Sequence, residues 1–499
     1  MTLPIVDTPI GPVPAIPERT DRWNPELEAA LYPSSHTRSI TAKLADPRAL
    51  VVTTGQQPGL LTGPSYAITK ALSARGLALA LERRWNRPVV PVYWVPGDDH
   101  DWQEASSVHW IAFDGSAHTA SLPARPPEAA LTPMWREPLG PAVLSVLDAF
   151  QQSFSETPER QATIGWLRRH YTPASTVSAA YGNALAELLG PLGILCLDST
   201  HGAVKRAATP LLLEALRRSH ELDHRLAVKD RALKEGGIDA GVAVGDGASL
   251  VFLEAELGRD RLVPASDGRS FQLRRARTTI GLESLAELAE KEPTRLSANV
   301  LLRPVLESTL LPTVAYLAGP AELKYLELAA PIYETLGAVR QVPVPRWSGL
   351  LVEPRVTRVL NKYGIGIEEL VADGSLERRI VRQSFPEGTD EAFTRLRQAI
   401  DAAYPPVIRA AAAIDPTMER PADAARRRAL FAVDELEKKL LQHARRREAV
   451  ELGQVARARL SVRPNGKPQE RVLSMSGFLA RYGDSVLSGL ADHIARWYG

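Results

Sequence analysis

The chain is poor in the residues that mark out several protein classes. Of its 499 residues only Cys196 is a cysteine, which excludes a disulfide framework and any zinc site built from thiolates. It lies in the apolar run GILCLD, where an unactivated thiol acts as a small core residue. Excess charge is missing too. Sixty Lys and Arg against 58 Asp and Glu leave a net charge of +2, so no overall field gathers nucleic acid or an anionic membrane, and neither is expected as a partner. No apolar run approaches the roughly 20 residues that cross a bilayer. The opening MTLPIVDTPIGPVPAIPERTDRW lacks the basic start and unbroken apolar stretch of a secretion signal, and a cytoplasmic location is expected.

What the sequence does contain is a series of buried-strand patterns. Apolar runs occur at Ala49 to Gly55, Val89 to Val95, Gly193 to Leu197, Leu310 to Leu317 and Val339 to Val344, as expected of parallel strands covered on both faces. Between the first two, Ala67 to Trp85 places Ile68, Ala71, Leu72, Leu77 and Leu81 on one helix face, completing a βαβ unit. The fold class expected is α/β, a Rossmann-like doubly wound parallel sheet over residues 1–352, with insertions at about 110–190 and 205–300. From 353 onward the pattern is helical. Phe393, Leu396, Ile400, Ala403 and Val407, then Leu430, Val433, Leu436 and Leu440, recur every three or four residues on either side of IDPTMERP. This predicts an antiparallel hairpin in a C-terminal coiled-coil domain over 353–499, with an apolar stripe that a second copy would cover in a homodimer. The basic runs Arg426 to Arg428 and Arg445 to Arg447 are interspersed with Asp and Glu and read as solvated faces or inter-helix ion pairs.

Ligands of doubly wound sheets bind beyond the carboxyl ends of the strands, and the candidate residues follow strand ends. The first loop, Gly55-Gln56-Gln57-Pro58-Gly59-Leu60-Leu61-Thr62-Gly63-Pro64, has neither GxxxxGK(S/T) nor GxGxxG, against simple NTPase and dehydrogenase readings. Gly55, Gly59 and Gly63 let a backbone approach a ligand, Gln56 and Gln57 offer amides, and Thr62 offers a hydroxyl. The alternative is a tight turn whose glycines serve conformation alone. The second loop, Gly97-Asp98-Asp99-His100-Asp101, crowds three carboxylates around an imidazole. A ligand ammonium would relieve their repulsion, with His100 as general base; helix capping by Asp98 or Asp99 is the competing account. A metal on His100, Asp101 and His109 is the weaker reading because no strict ligand spacing occurs, and none is assigned. Asp198 either reaches the cleft or caps the next turn. Arg303, Lys324 and Arg346 are candidates for gripping a carboxylate or phosphate, each against a structural ion pair.

Four segments, in order and spanning nearly the whole chain, carry a resemblance: GQQPGLLTGPSYAITKAL, PVYWVPGDDHDWQEASSVHW, NVLLRPVLESTLLPTVAYLAGPAELKYLELAAPIYETLGA with VPRWS after it, and PNGKPQERVLSMSGFLARYGDSVLSGL. Together they resemble the BshC family. The resemblance implies a core related to class I nucleotidyltransferases and aminoacyl-tRNA synthetases, two connecting insertions and a coiled coil that dimerises. It also implies a ligase joining the carboxyl of cysteine to the amine of glucosaminyl malate, giving bacillithiol. Because that condensation is uphill in water, activation by ATP or another nucleotide is expected of this fold. Yet Leu61-Thr62-Gly63-Pro64 stands where the synthetases carry HIGH, without either histidine, and no KMSKS is present. On this reading Asp98, Asp99 and Asp101 hold an ammonium and His100 deprotonates the attacking nitrogen. Arg303 and Arg346 grip malate or the activated carboxyl, and the first loop covers phosphate or substrate. The competing functions are a non-catalytic nucleotide- or metabolite-binding scaffold and adenylyl transfer to a different acid.

Overall fold

The five apolar runs form one parallel sheet in the computed structural model, which describes residues 3–372 and 375–499. Its strands are β1 (Leu50–Gly55), β2 (Val89–Val95), β3 (Leu195–Asp198), β4 (Thr313–Ala318) and β5 (Val342–Pro345), in the order β5-β4-β1-β2-β3. Every residue of β1, β2 and β4 is buried, which is why these runs show no alternation of apolar and polar residues. From β1 the chain crosses through helix α1 (Tyr66–Trp85) to β2 on one side, and much later returns as β4 on the other. That reversal opens a crevice at the carboxyl ends of β1, β2 and β4. Helix α1 ends on Asn86 in the left-handed region (φ 50°), with Arg83 and Arg84 in its last turn facing the negative end of the dipole.

Both insertions are present. The first holds a hairpin, Ser107–Ile111 with Ala117–Ser121, and the helices Ala142–Gln152, Pro158–His170 and Val177–Leu189. Thr157 and Thr176 cap the latter two by accepting the amides of Arg160 and Ala179. The second holds helices Gly202–Arg217 and Ser219–Glu235, then an antiparallel sheet. Its five strands run, across the sheet, Thr279–Gly281, Ser270–Leu273, Gly258–Pro264, Val251–Ala255 and Leu296–Ala298.

Beyond residue 352 the helical segment does not stay in one compact unit to the end of the chain. The chain divides into one compact unit of Met1–Val352 together with Pro464–Gly499, and a second of Glu353–Arg463. The last 36 residues thus fold with the sheet instead of the helical hairpin. Helix Ser485–Tyr498 buries Val486, Leu487, Leu490 and Ile494 and crosses α1 at Gly76, where a Cβ would come within 3.0 Å of Tyr498 and 3.1 Å of the Ile494 carbonyl. An amphipathic stripe predicts that a helix is covered, not by what.

In the second unit, helices Thr389–Ile414 and Glu419–Arg447 pack antiparallel. Arg397 meets Asp434 at 3.0 Å and Arg426 meets Asp401 at 2.8 Å, so part of the basic run is engaged in ion pairs between the two helices. Among the described residues no helix is long and apolar enough to cross a membrane.

Candidate active site

A cavity of about 530 Å³ occupies the crevice, roofed by the antiparallel sheet. Gly55, Gln56 and Gln57 line it from the end of β1, Asp98, Asp99 and His100 from the end of β2, and Arg303 from the helix preceding β4. The glycine loop and the aspartate-histidine loop therefore face one space. Gly55 is obligatory here, because a Cβ would lie 2.5 Å from the Trp94 carbonyl of the neighbouring strand.

The remaining sequence candidates sit elsewhere. Gly59, Thr62 and Gly63 are buried in the back of the first loop. The Thr62 amide donates to the Tyr171 hydroxyl at 2.8 Å, the same hydroxyl donates to the Gly59 carbonyl at 3.1 Å, and Ser474 and Ser476 donate to the Leu61 carbonyl at 2.7 and 2.9 Å. These residues shape the turn and do not face the cavity. Asp198 caps its own turn, accepting from the amide and hydroxyl of Thr200 at 2.8 and 2.6 Å. Asp101 caps the short helix Trp102–Ala105 and is exposed. Arg346 reaches the cavity wall with its guanidinium already taken: both terminal nitrogens bind Glu470, at 2.9 and 2.6 Å, and one also binds the Trp347 carbonyl. Lys324 is exposed and outside the lining. His109 pairs with Thr119 on the hairpin, and no metal-binding group of His, Cys, Asp or Glu occurs among the described residues.

Within the second loop the acids divide. Asp98 forms a two-oxygen ion pair with the buried Lys205, 2.7 Å to each oxygen. Asp99, which lines the cavity, uses Oδ1 to accept the amides of His100 and Asp101 at 2.6 and 3.0 Å, and its Oδ2 takes no hydrogen bond from the described residues. His100 Nδ1 lies 3.4 Å from Arg259 Nη1. A guanidinium has no lone pair, so Nδ1 is the acceptor and the ring proton sits on Nε2. Burial, and then the charge of Arg259, hold the His100 pKa below the usual 6.5, keeping the ring neutral near pH 7.

Beneath the first strand lies a polar network that sequence reasoning missed except for Arg303. The fully buried Lys70 donates to the Gly55 carbonyl at 2.5 Å and to Glu322 at 2.7 and 2.9 Å. Tyr316 and Tyr325 donate to Glu322 and receive hydrogen bonds from Arg303, which also pairs with Glu307 at 3.2 Å. Desolvation pushes the Glu307 carboxyl up to about 7. Lys205 and Arg259 were missed as well. For Arg259 a signal existed: in GRDRLVP the strand period of two places Arg259 and Arg261 on one face, and both guanidinium groups lie over the Phe252 ring, 4.1 and 5.3 Å from its centre.

Fold and cleft together define a Rossmann-like α/β protein with a cavity at the switch point of its sheet. Residues 26–347 match the family model "Bacillithiol biosynthesis BshC, N-terminal Rossmann-like domain", and residues 349–496 match "Bacillithiol biosynthesis BshC, C-terminal coiled-coil domain". A protein of Symbiobacterium thermophilum is 30% identical over 471 residues, covering 90% of this chain and 83% of that one. One of Solibacter usitatus is 28% identical over 95% of this chain and 88% of its own, and one of Bacillus velezensis is 26% identical over 91% and 84%. All three carry the name "Putative cysteine ligase BshC". The chain belongs to the BshC family of bacillithiol biosynthesis.

Proposed function

We propose that the cleft is the active site of a carbon-nitrogen ligase that joins the carboxyl of cysteine to the amine of glucosaminyl malate. The observation that carries this reading is the neutral His100 ring beside cationic and acidic groups in one cavity. Amide formation needs an amine without its proton, a carboxyl with a leaving group and a place for the released proton. The amine nitrogen forms the new bond to the acyl carbon, the leaving group departs with its bonding pair, and the nitrogen's proton passes to Nδ1 of His100 as that lone pair gives up its weak 3.4 Å contact with Arg259. Asp99, through Oδ2, is the cavity's carboxylate for steadying an incoming ammonium. Asp98 is already neutralised by Lys205, which amends the expectation that all three aspartates do so.

A nucleotide donor, when bound, would supply the leaving group that makes the carboxyl electrophilic. The residues fit an anionic group of this kind through Arg261 or Arg471: both line the cavity, and Asp246, which pairs with Arg261, is 3.7 Å away. The back of the first loop takes no part, being occupied by Tyr171, Ser474 and Ser476. We further propose that the protein is a homodimer through the helical hairpin, which leaves Phe431 65% and Leu436 55% exposed, a poor state for large apolar side chains on a coiled coil.

The deciding experiment incubates the purified protein with cysteine, glucosaminyl malate and ATP, and follows bacillithiol by mass spectrometry together with AMP and pyrophosphate. Product in all three channels is expected. Nucleotide turnover with another acid but not with cysteine would replace the cysteine assignment, and no product with any donor would remove the ligase reading. In the same assay His100→Gln should lower kcat by about 100-fold or more, as loss of a positioned base does.

A further inference from the structure

We infer that Arg259 is the oxyanion clamp of this cleft, holding the reacting carboxyl of the acid substrate beside His100. The inference deepens the ligase reading and rests on it for the identity of the acid.

Arg259 comes from the strand Gly258–Pro264 of the inserted sheet and is 8% exposed. Three things hold its guanidinium in one plane. Nε donates to the Ser297 hydroxyl at 2.9 Å, Nη2 donates to the Ala298 carbonyl at 2.5 Å, and the Phe252 ring lies against one face. What it lacks is a direct ion pair: among the described residues no carboxylate comes within ion-pairing distance of it, and Asp98 and Asp99 act on it only from farther off. Asp98 is bound by Lys205 and Asp99 by its own turn. The other buried cations of the cleft have their anion, Lys70 in Glu322, Lys205 in Asp98 and Arg346 in Glu470.

A buried guanidinium without an anion is costly, and the cost is relieved when a ligand brings one. The remaining edge of Arg259, including Nη1, opens on the cavity next to His100. A planar fork of donors suits the two oxygens of a carboxylate. An anion held there takes Nη1 away from the weak 3.4 Å contact with His100 Nδ1, freeing that lone pair where an attacking amine would release its proton. Clamp and base are adjacent, and the reacting carboxyl is the one group that must meet the amine beside that base, so it is the anion assigned to this place.

Two measurements on the full-length protein test the inference. The first follows the His100 ring resonance, assigned with His100→Gln, during titration with malonate, L-cysteine and L-cysteine methyl ester. Malonate and cysteine should shift it saturably, the ester should not, Arg259→Gln should weaken the response at least about 10-fold, and Arg259→Lys should fall between. No response in the wild type, or an equal one in Arg259→Gln or to the ester, overturns the clamp whether or not the protein is a ligase. The ester comparison needs no variant, so misfolding of Arg259→Gln does not blunt the test. The second measurement is steady-state kinetics. For Arg259→Gln, kcat/KM toward cysteine should fall about 100-fold while KM for glucosaminyl malate stays put. A loss confined to glucosaminyl malate would move the anion to the malyl group and overturn the assignment made here. If the His100 response behaves as described but wild-type protein forms no amide, the ligase reading fails and the clamp stands as the site of another acid.

Discussion

His100 shows how a single residue takes its chemistry from neighbours distant in sequence. Burial disfavours its charged form and Arg259 adds repulsion, both lowering the pKa from 6.5. The neutral, proton-accepting ring is therefore the main form above pH 6.5, and the base is lost only as pH falls below that value. By NMR the ring should titrate with a midpoint under 6.5, and Arg259→Gln should move that midpoint up by removing the nearby cation. An unchanged or lower midpoint in the variant would contradict the assigned contact. Glu307 behaves in the opposite sense. Its folded pKa of about 7 lies above the ordinary 4.5, so the folded chain keeps a proton that the unfolded chain has given up. Its contribution to stability accordingly falls as pH rises from about 4.5 to 7 and levels off above that. Melting curves of wild type and Glu307→Gln should thus differ in slope across this window, the variant gaining on the wild type as pH rises; parallel curves would show that Glu307 is ionised throughout.

The first loop is one element with two jobs. Its front, Gly55 to Gln57, faces the cavity, while Gly59 to Gly63 is a buried turn held by Tyr171 and by serines of the C-terminal segment. Gly55→Ala drives a Cβ to 2.5 Å from the Trp94 carbonyl and should destabilise the protein by about 2 to 4 kcal/mol, since a strand backbone cannot yield as a flexible side chain does. Denaturant unfolding measures it. The sequence offered both readings of this loop, ligand contact or tight turn; the structure opens one half to the cavity and makes the other a buried turn. Local composition could not divide them, because the division is made by Tyr171 and Ser474, which lie 109 and 413 residues from their partners in the loop. Asp198 was ambiguous in the same way, and there capping prevailed; in the second loop the cap expected of Asp98 or Asp99 is made by Asp101.

At the scale of the whole molecule, the strand runs, both insertions and the helical hairpin were legible in the sequence, because each rests on a periodicity that neighbouring residues carry themselves. Dimerisation through the hairpin has a direct test: light scattering should report a dimer for the wild type and a monomer for Phe431→Glu with Leu436→Glu, without loss of helix content. A wild-type monomer would remove the proposal. Less legible was the return of Pro464–Gly499 to the sheet. Through it Glu470 occupies Arg346 and two serines occupy the Leu61 carbonyl.

By itself, then, the sequence determined which segments become strands and helices, and that two polar loops stand at strand ends. Only the tertiary structure decided which polar groups remain open to a ligand. The physical reason is that a charge or hydrogen-bonding group is available only when no buried partner has claimed it. Arg346 and Glu470 are 124 residues apart, while Arg259 has folded into the cleft without a direct ion pair among the described residues.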